Sequence, residues 1–228
     1  MQAVAAMVPV GKVLADVGTD HAHLPLWLVG QGRSPRAIGV ESRYRPYRKA
    51  WANVAAAGLS HLIEIRLGWG LKPLSPGEAE AIVLAGLGGS TIQDILSASP
   101  EILNTAEILI LQPQKHEVPL RRWLAGAGWR LVDEELVLDR GRYYLILAWE
   151  QGEGQTFRPW EWEVGPLLLA KRHPLLAGYL DQRIERLHRV KESLLHSRRS
   201  EAVDRYREIV ERVKVLQEVR ACLPNVGK

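Results

Sequence analysis

Short apolar runs, each ending at a polar residue or a glycine, recur along the first half of the chain. Five runs have the length of a strand, and segments with the apolar spacing of a helix separate them. The predicted strands span residues 13–16, 37–41, 62–67, 80–85 and 107–111. This alternation is typical of an α/β domain with a parallel sheet.

The pattern changes beyond residue 128. Two alternating runs, residues 129–138 and 143–149, flank the turn sequence Asp139-Arg-Gly-Arg142 and predict an antiparallel hairpin. Dinucleotide-binding Rossmann domains are parallel throughout, so the hairpin argues against that class. A doubly wound parallel sheet that ends in an antiparallel hairpin is similar to class I S-adenosylmethionine (SAM)-dependent methyltransferases.

Beyond a glycine-containing linker at residues 151–155, the apolar period is helical. Two stripes predict two antiparallel helices of roughly 20 residues each, a coiled-coil hairpin with a polar tip at residues 196–200. The stripes are Leu180, Ile184, Leu187, Val190 and Leu194, and Val203, Tyr206, Val210, Val213 and Leu216. The predicted domains are therefore residues 1–155 and 156–228.

The composition is that of a soluble globular protein, with 46% apolar and 25% charged residues. No apolar run is as long as a membrane span, and the N-terminus lacks a secretory pattern. The single Cys222 cannot form an internal disulfide and has no metal-ligand neighbours. We expect a cytoplasmic protein that contacts no membrane and binds no metal.

Positive charge is concentrated near the C-terminus. Residues 171–228 carry 14 Lys and Arg against 8 Asp and Glu, whereas residues 1–170 carry 16 against 18. A smaller basic cluster occupies residues 33–49. Such clusters are typical of nucleic-acid binding, although a solvated helix face has the same composition. The candidate RNA-binding residues are Arg43, Arg45, Arg48, Arg198 and Arg199.

The predicted parallel strands end in residues that suit a nucleoside ligand, which open α/β sheets bind at this edge. Asp16 could pair with an ammonium group and Glu41 with ribose hydroxyls. The Gly68-Trp-Gly70 turn could approach an adenine. The glycines within residues 86–89 leave the backbone at the central crevice free of side chains that would block a substrate. Each glycine alone could equally be a turn residue, but four such loops in this order favour a binding site.

Four motifs resemble the bacterial TrmK family of tRNA adenine-N1 methyltransferases, which modify the adenine at position 22. They are Asp16-Val-Gly-Thr-Asp-His-Ala-His-Leu-Pro25, Gly39-Val-Glu41, Ala85-Gly-Leu-Gly-Gly89, and Leu109-Ile-Leu-Gln-Pro113 with His116. The resemblance covers nearly the whole chain. It implies a SAM-binding domain at residues 1–155, a helical tRNA-binding domain at residues 156–228, and tRNA as partner.

The resemblance also implies which residues form the site. It assigns SAM, or the product S-adenosylhomocysteine (SAH), to Asp16, Gly18, Thr19, Asp20, His21, Leu24, Glu41, Gly68, Trp69, Gly70, Ala85, Gly86 and Gly88. It assigns catalysis to Asp20, His21, Gln112, Pro113 and Gln114. His21 and His23 could instead only cap their loop.

The implied chemistry needs no covalent nucleophile, because adenine N1 carries a lone pair that can attack the methyl group directly. The enzyme would align the reactants and exclude water. Because N1 lies on the Watson–Crick edge, the base must leave its pairing to react.

Departures from the family pattern affect both partners. Trp69 stands where the family has an acid, so stacking would replace a hydrogen bond to adenine. Other family members often carry Asn at the position of Gln114. The family also implies a short basic helix ahead of residue 1. We expect a monomer, with a homodimer as the alternative.

Two other functions stay open. The fold could methylate another RNA base or a small molecule, or the chain could be a catalytically silent RNA-binding scaffold. The acids Asp16 and Glu41 count against the scaffold, which has no reason to keep them.

Overall fold

The computed structural model describes residues 1–153, 155–195 and 200–224, which form seven strands and ten helices. The strands are β1 (Leu14–Val17), β2 (Ala37–Glu41), β3 (Ile63–Leu67), β4 (Ala81–Leu87), β5 (Ile108–Pro113), β6 (Trp129–Asp139) and β7 (Arg142–Gln151). The helices are α1 (Gln2–Met7), α2 (His23–Gly30), α3 (Tyr44–Ala56), α4 (Gly89–Ser97), α5 (Pro100–Leu103), α6 (Glu117–Gly126), α7 (Pro159–Val164), α8 (Pro166–Ala170), α9 (Leu176–Leu195) and α10 (Ser200–Ala221).

The seven strands form one sheet in the order β3-β2-β1-β4-β5-β7-β6. Strands β1 to β5 are parallel, and β7 runs antiparallel to β5. Helices connect β1 to β2, β2 to β3 and β4 to β5, whereas residues 68–80 connect β3 to β4 without a helix. The predicted fold class is confirmed.

The order in which the strands were added reverses between β1 and β4, which are neighbours in the sheet. Asp16 on β1 is in register with Gly39 on β2 and with Val83 on β4. Ligands of open α/β sheets bind beyond the strand ends at such a reversal, where the connecting helices diverge to opposite faces. The sheet therefore places the site near the end of β1.

Burial explains why the central strands are apolar. Every residue of β1, β2 and β5 is buried, and β4 is buried from Ala81 to Leu84. A parallel sheet covered on both faces has no solvent-facing side, so its strands do not alternate between apolar and polar residues. Strand β3, at the sheet edge, alternates partly.

The predicted hairpin turn has two central residues with positive φ, Arg140 at 48° and Gly141 at 75°. This is the conformation whose twist matches that of paired antiparallel strands.

The chain divides into two compact units. The sheet unit contains residues 1–135 and 144–155, and the helical unit contains residues 136–143 and 156–228. The boundary predicted at residue 155 matches the C-terminal end of the sheet unit. The tip of the β6–β7 hairpin, residues 136–143, belongs to the helical unit, which was not predicted.

Helices α9 and α10 pack together within the helical unit. Leu180 and Leu187 of the first predicted stripe are buried, as are Val213 and Leu216 of the second. The second stripe was wrong at two positions, since Val203 is 53% exposed and Val210 is also exposed. Ile209 is buried instead, because spacings of four and three residues keep positions 209, 213 and 216 on one face.

A buried ion cluster also holds the helical unit together. Glu163 at the end of α7 accepts hydrogen bonds from Arg183 on α9 and, at 3.0 Å, from Arg212 on α10. The predicted linker is partly ordered in the sheet unit, because Oε1 of Gln155 accepts a hydrogen bond from the Leu131 N–H at 3.1 Å. No helix in the described part of the chain is long and apolar enough to cross a membrane.

Candidate active site

The loop after β1 is fastened to β2 by its backbone. Gly18 has φ of +80°, and the N–H groups of Gly18 and Thr19 both donate to the Val40 carbonyl, at 2.8 and 3.0 Å. Only glycine adopts this conformation without strain. These two hydrogen bonds hold the loop after β1 beside the end of β2.

Asp16 is a buried carboxyl group, 6% exposed, near the end of β1. Burial raises its pKa to about 6, against the opposing effect of the Thr19 hydroxyl. No basic side chain in the described ranges forms an ion pair with it. A bound cation would stabilise the ionised form, so the ammonium of an amino-acid ligand fits this position.

The loop between Asp20 and His23 has a strained backbone. Asp20 and Ala22 have φ of 52° and 61°, a region that residues other than glycine seldom occupy. Nδ2 of Asn53 donates to the His21 carbonyl at 3.0 Å and holds the loop against α3.

The His21 ring lies between two polar neighbours. Its Nε2 is 3.5 Å from Oδ2 of Asp20, and its ring stacks on that of His23 at 5.6 Å between centroids. These contacts position His21 whether it serves a ligand or only the loop. Leu24 is buried in the first turn of α2.

Glu41, at the end of β2, is 3% exposed. Its Oε1 accepts hydrogen bonds from the backbone N–H and from Nε of Arg43, at 2.9 and 3.4 Å. Its Oε2 has no protein donor in the part of the chain that the structure describes. One oxygen is thus fixed, while the other can accept from a ligand hydroxyl.

The turn after β3 is joined to the Glu41 loop, since the Gly68 N–H donates to the Glu41 carbonyl at 2.9 Å. A Cβ on Gly68 would lie 2.4 Å from Cγ of Pro73, and Gly70 has φ of +60°. Between them Trp69 is exposed, with Nζ of Lys72 5.7 Å from its ring centroid. The turn presents a flat ring on which a base can stack.

Strands β4 and β5 are joined by a bulge at Gly86. The register shifts between Ala85 and Leu87, and the Gly86 N–H donates to Oε1 of Gln112 at 3.0 Å. Gly86 has φ of +77°, which allows the bulge without strain. Residues 112–114 therefore lie directly beside the Gly86 loop.

Pro113 is buried opposite Leu87. The N–H of Gln114 donates to the Leu87 carbonyl at 2.8 Å, while its side chain is exposed. A Cβ on Gly86 would lie 3.9 Å from Nε2 of Gln114, so that amide group borders the bulge.

The two glycines after the bulge differ in role. A Cβ on Gly88 would lie 3.2 Å from Cε of Lys115, a flexible side chain. A Cβ on Gly89 would lie 2.4 Å from the backbone oxygen of His116. The loop after β5 approaches Gly89 so closely that a side chain there would clash with it, a packing requirement that the sequence did not predict.

Two contacts near the site were not predicted from the sequence. Oγ of Ser90 and Nδ1 of His116 lie 2.9 Å apart, joining the start of α4 to the loop after β5. Asn53 holds His21 across 32 positions of sequence. A signal for Asn53 existed, because it is a polar residue between the buried positions Ala50 and Val54. Ser90 carried no such signal, and His116 belonged to the fourth motif without a predicted contact.

The predicted RNA-binding residues of the sheet unit lie at the start of α3. Arg43 precedes the helix, and Arg45 and Arg48 are exposed in its first turns. Arg198 and Arg199 lie outside the described residues.

The structure thus brings the predicted residues of the sheet unit to one edge of one sheet, in two groups. The loops after β1, β2 and β3 form one group, and those after β4 and β5 form the other. Adjacent strands β1 and β4 connect the two groups. Across the residues with described placement, no cluster of three His, Cys, Asp or Glu side chains could hold a metal ion.

Comparison with known sequences gives a consistent result. The sequence model of TrmK, tRNA (adenine(22)-N(1))-methyltransferase, matches residues 14–218. The tRNA (adenine(22)-N(1))-methyltransferase of Bacillus subtilis is 32% identical over 225 residues, which cover 96% of this chain and 94% of that protein.

Solved structures agree with the sequence comparison. The Bacillus subtilis m1A22 tRNA methyltransferase TrmK superposes with a TM-score of 0.86 at 32% identity, covering 96% of both chains. A Streptococcus pneumoniae protein in complex with S-adenosyl-L-methionine superposes with a TM-score of 0.85 at 32% identity, covering 96% of this chain and 97% of that one.

Proposed function

The chain belongs to the TrmK family of tRNA (adenine(22)-N(1))-methyltransferases, and we propose that the carboxyl edge of its parallel sheet is the methyl-transfer site. The protein is a SAM-dependent enzyme that methylates N1 of an adenine in tRNA, at position 22. SAM is the methyl donor and SAH the product.

The observation that carries the proposed site is the buried carboxyl group of Asp16, which forms no ion pair with any residue whose placement is described. Ionising such a buried acid without a cation is unfavourable in the ligand-free protein. SAM has an ammonium group that would offset this cost. Glu41, with one oxygen fixed and one available, suits the ribose hydroxyls. These donors and acceptors fit the cofactor.

The remaining cofactor residues shape the space around it. Gly18, Thr19, Asp20, His21 and Leu24 form the loop next to Asp16. The turn at Gly68, Trp69 and Gly70 supplies a ring for the adenine. Ala85, Gly86 and Gly88 keep side chains out of the crevice between β1 and β4.

Catalysis rests on alignment, because the bound cofactor supplies an electrophilic methyl group that adenine N1 takes directly. Gln112 holds the Gly86 bulge through its side-chain oxygen and so fixes the backbone beside the target base. Pro113 makes the strand end rigid, and the exposed amide of Gln114 can hydrogen-bond the base edge. Asp20 and His21 lie in the loop after β1, from which they can contact the base or the cofactor.

The tRNA is held largely by charge. Arg43, Arg45 and Arg48 supply cations near the cofactor site. The C-terminal residues 171–228 carry the larger excess, and they include Arg198 and Arg199. Phosphate contacts of this kind give affinity and orientation without selecting a base. On this proposal residues 1–155 bind SAM, residues 156–228 capture tRNA, and the enzyme acts as a cytoplasmic monomer.

Mass spectrometry of bulk tRNA tests the proposed function. Unmodified tRNA incubated with the protein and SAM should gain 1-methyladenosine at position 22, and Asp16→Asn should abolish that gain. Methylation of another nucleotide would redirect the proposal to a different target. SAM binding without methylation of any tRNA would contradict it.

A further inference from the structure

One face of α3 exposes two aromatic rings. Tyr44, Arg48 and Trp51 are spaced four and three residues apart, so they form a single stripe along the helix. Tyr44 is 60% and Trp51 56% exposed, whereas Ala50 and Val54 on the other side are buried. Large exposed rings are unusual on a helix that already buries its apolar face.

The charges on this helix all have one sign. Helix α3 contains Arg45, Arg48 and Lys49 and no acidic residue, and Arg43 directly precedes it. Nη1 of Arg48 lies 3.4 Å from the Tyr44 hydroxyl, which places a guanidinium beside a ring. Along the same face Ala52 and Ala55 are small and do not cover the rings, while the Tyr44 ring stacks on that of Tyr47 at 6.2 Å between centroids.

Rings interleaved with cations have a specific complement. Nucleic-acid bases stack on aromatic side chains, and neighbouring arginines neutralise the phosphates that connect them. A duplex hides its base faces, so only unpaired nucleotides can use such rings. An acidic protein partner would use the cations but would not need the flat, open rings.

The helix also begins beside the proposed reaction site. Tyr44 follows Glu41 by three residues, so the stripe starts at the sheet edge where the cofactor residues lie. Methylation at N1 requires the base to leave its pairing. That rearrangement leaves unpaired nucleotides close to the site.

We propose that the α3 face defined by Tyr44, Arg48 and Trp51 is a stacking platform for unpaired nucleotides of the tRNA substrate. The inference rests on the proposed function and deepens it. Tyr44 and Trp51 select unpaired RNA by stacking, while Arg48 and its basic neighbours hold the phosphates.

Binding of a fluorescently labelled oligo-uridine at several salt concentrations tests the platform, with tRNA measured in parallel. Trp51→Ala should weaken oligo-uridine binding by about fivefold to a hundredfold, the effect of losing one stacked base. Its slope of log affinity against log salt should stay unchanged, because no charge is lost. Arg48→Ala should instead reduce that slope by about 0.7, the value for one phosphate contact on a single strand.

Trp51→Phe is the matched control and should keep most of the affinity, because it keeps a ring. Tyr44→Ala gives a second, independent readout of the same face. Unchanged oligo-uridine binding in Trp51→Ala and Tyr44→Ala would overturn the platform, as would a dimer in solution that Trp51→Ala dissociates. Methylation of tRNA by the unaltered protein is measured separately, so failure of the platform is distinct from failure of the proposed function.

Discussion

Oε1 of Gln112 accepts a hydrogen bond from the Gly86 N–H at 3.0 Å, and this contact spans the bulge that ends β4 and β5. The side-chain oxygen of Gln112 is therefore already used by a contact within the protein. Gln112, which was predicted to act on the base, thus supports the backbone of the loop that is proposed to border the base.

Replacing Gln112 separates these two roles. Gln112→Ala removes the side-chain acceptor of the Gly86 N–H, a net loss of about 0.5–1.5 kcal/mol because the exposed Gly86 can bond to water instead. We expect kcat to fall by about twofold to tenfold, with little change in SAM affinity. Gln112→Glu keeps an acceptor and should retain most of the activity. If Gln112→Glu is as inactive as Gln112→Ala, the amide group contacts the substrate directly.

Glu41→Ala should weaken SAM binding. It removes a charged acceptor whose hydrogen bonds are worth about 1.5–3 kcal/mol, or about tenfold to a hundredfold in Kd. Isothermal titration calorimetry measures the change. Glu101→Ala, at an exposed position on α5, is the control and should leave Kd unaltered. A Kd for Glu41→Ala equal to that of the control would remove Glu41 from the site.

Asp16 gives a pH dependence with a defined sign. Because its folded-state pKa is raised from 3.8 to about 6, the ligand-free protein loses stability as the pH rises through this window. The loss amounts to about 3 kcal/mol at most. Asp16→Asn cannot ionise, so it should unfold at a higher temperature than the unaltered protein at pH 7, with the difference vanishing near pH 4.

The same residue should show the reverse effect on ligand binding. SAM affinity of the unaltered protein should fall as the pH drops below about 6, because the carboxyl group must ionise to pair with the ammonium. Asp16→Asn should bind weakly at every pH. Thermal melts and calorimetry from pH 4 to 7 measure both effects, and a stability that Asp16→Asn does not raise would show that Asp16 is not strained.

Gly88 and Gly89 should respond differently to a side chain. Gly88→Val places its Cβ against the flexible Lys115 chain, so we expect lost methylation with a nearly unchanged Tm. Gly89→Ala forces Cβ onto the backbone of His116 and should lower Tm by several degrees. Equal loss of stability in both variants would make Gly88 a turn requirement as well.

Arg198 and Arg199, which stand between α9 and α10 in the sequence, should govern tRNA capture more than turnover. Reversing Arg198 and Arg199 to Glu should raise the KM for tRNA more than it lowers kcat, and should flatten the salt dependence of binding. Reversing the exposed Arg122 and Arg130 of the sheet unit, outside the basic cluster at residues 33–49, changes the net charge equally and serves as the control. If the two double variants have equal effects, Arg198 and Arg199 act only through the net charge of the protein. A deletion of residues 164–228 is less informative, because it removes the ion-pair partners of the buried Glu163.

Much of the fold followed from the sequence because burial on both faces makes parallel strands continuously apolar. Residues 37–41 were predicted to be a strand and match β2 at both ends. The acids Asp16 and Glu41 could be found because each interrupts an apolar run at a strand end. Helix α10 was harder, since Val203 and Val210 satisfy a helical period as well as Ile209 does.

Contacts between distant loops could not be predicted. The sequence shows that Ser90 and His116 exist, but their 2.9 Å contact depends on the approach of the loop after β5 to Gly89. The packing requirement at Gly89 could not be predicted for the same reason. Its neighbour is backbone from 26 or more positions away, which leaves no trace in local spacing.

The placement of the hairpin tip sets an order of events during synthesis. The sheet unit has all its residues once position 155 has left the ribosome, but Tyr143 and Gly141 lack their partners Tyr179 and Gln182 on α9. At a typical elongation rate of about 5–20 residues per second, α9 is complete only about 2–8 s later. Throughout that interval the nascent chain presents an unpaired tip, so chaperone contacts and premature aggregation should concentrate at residues 136–143.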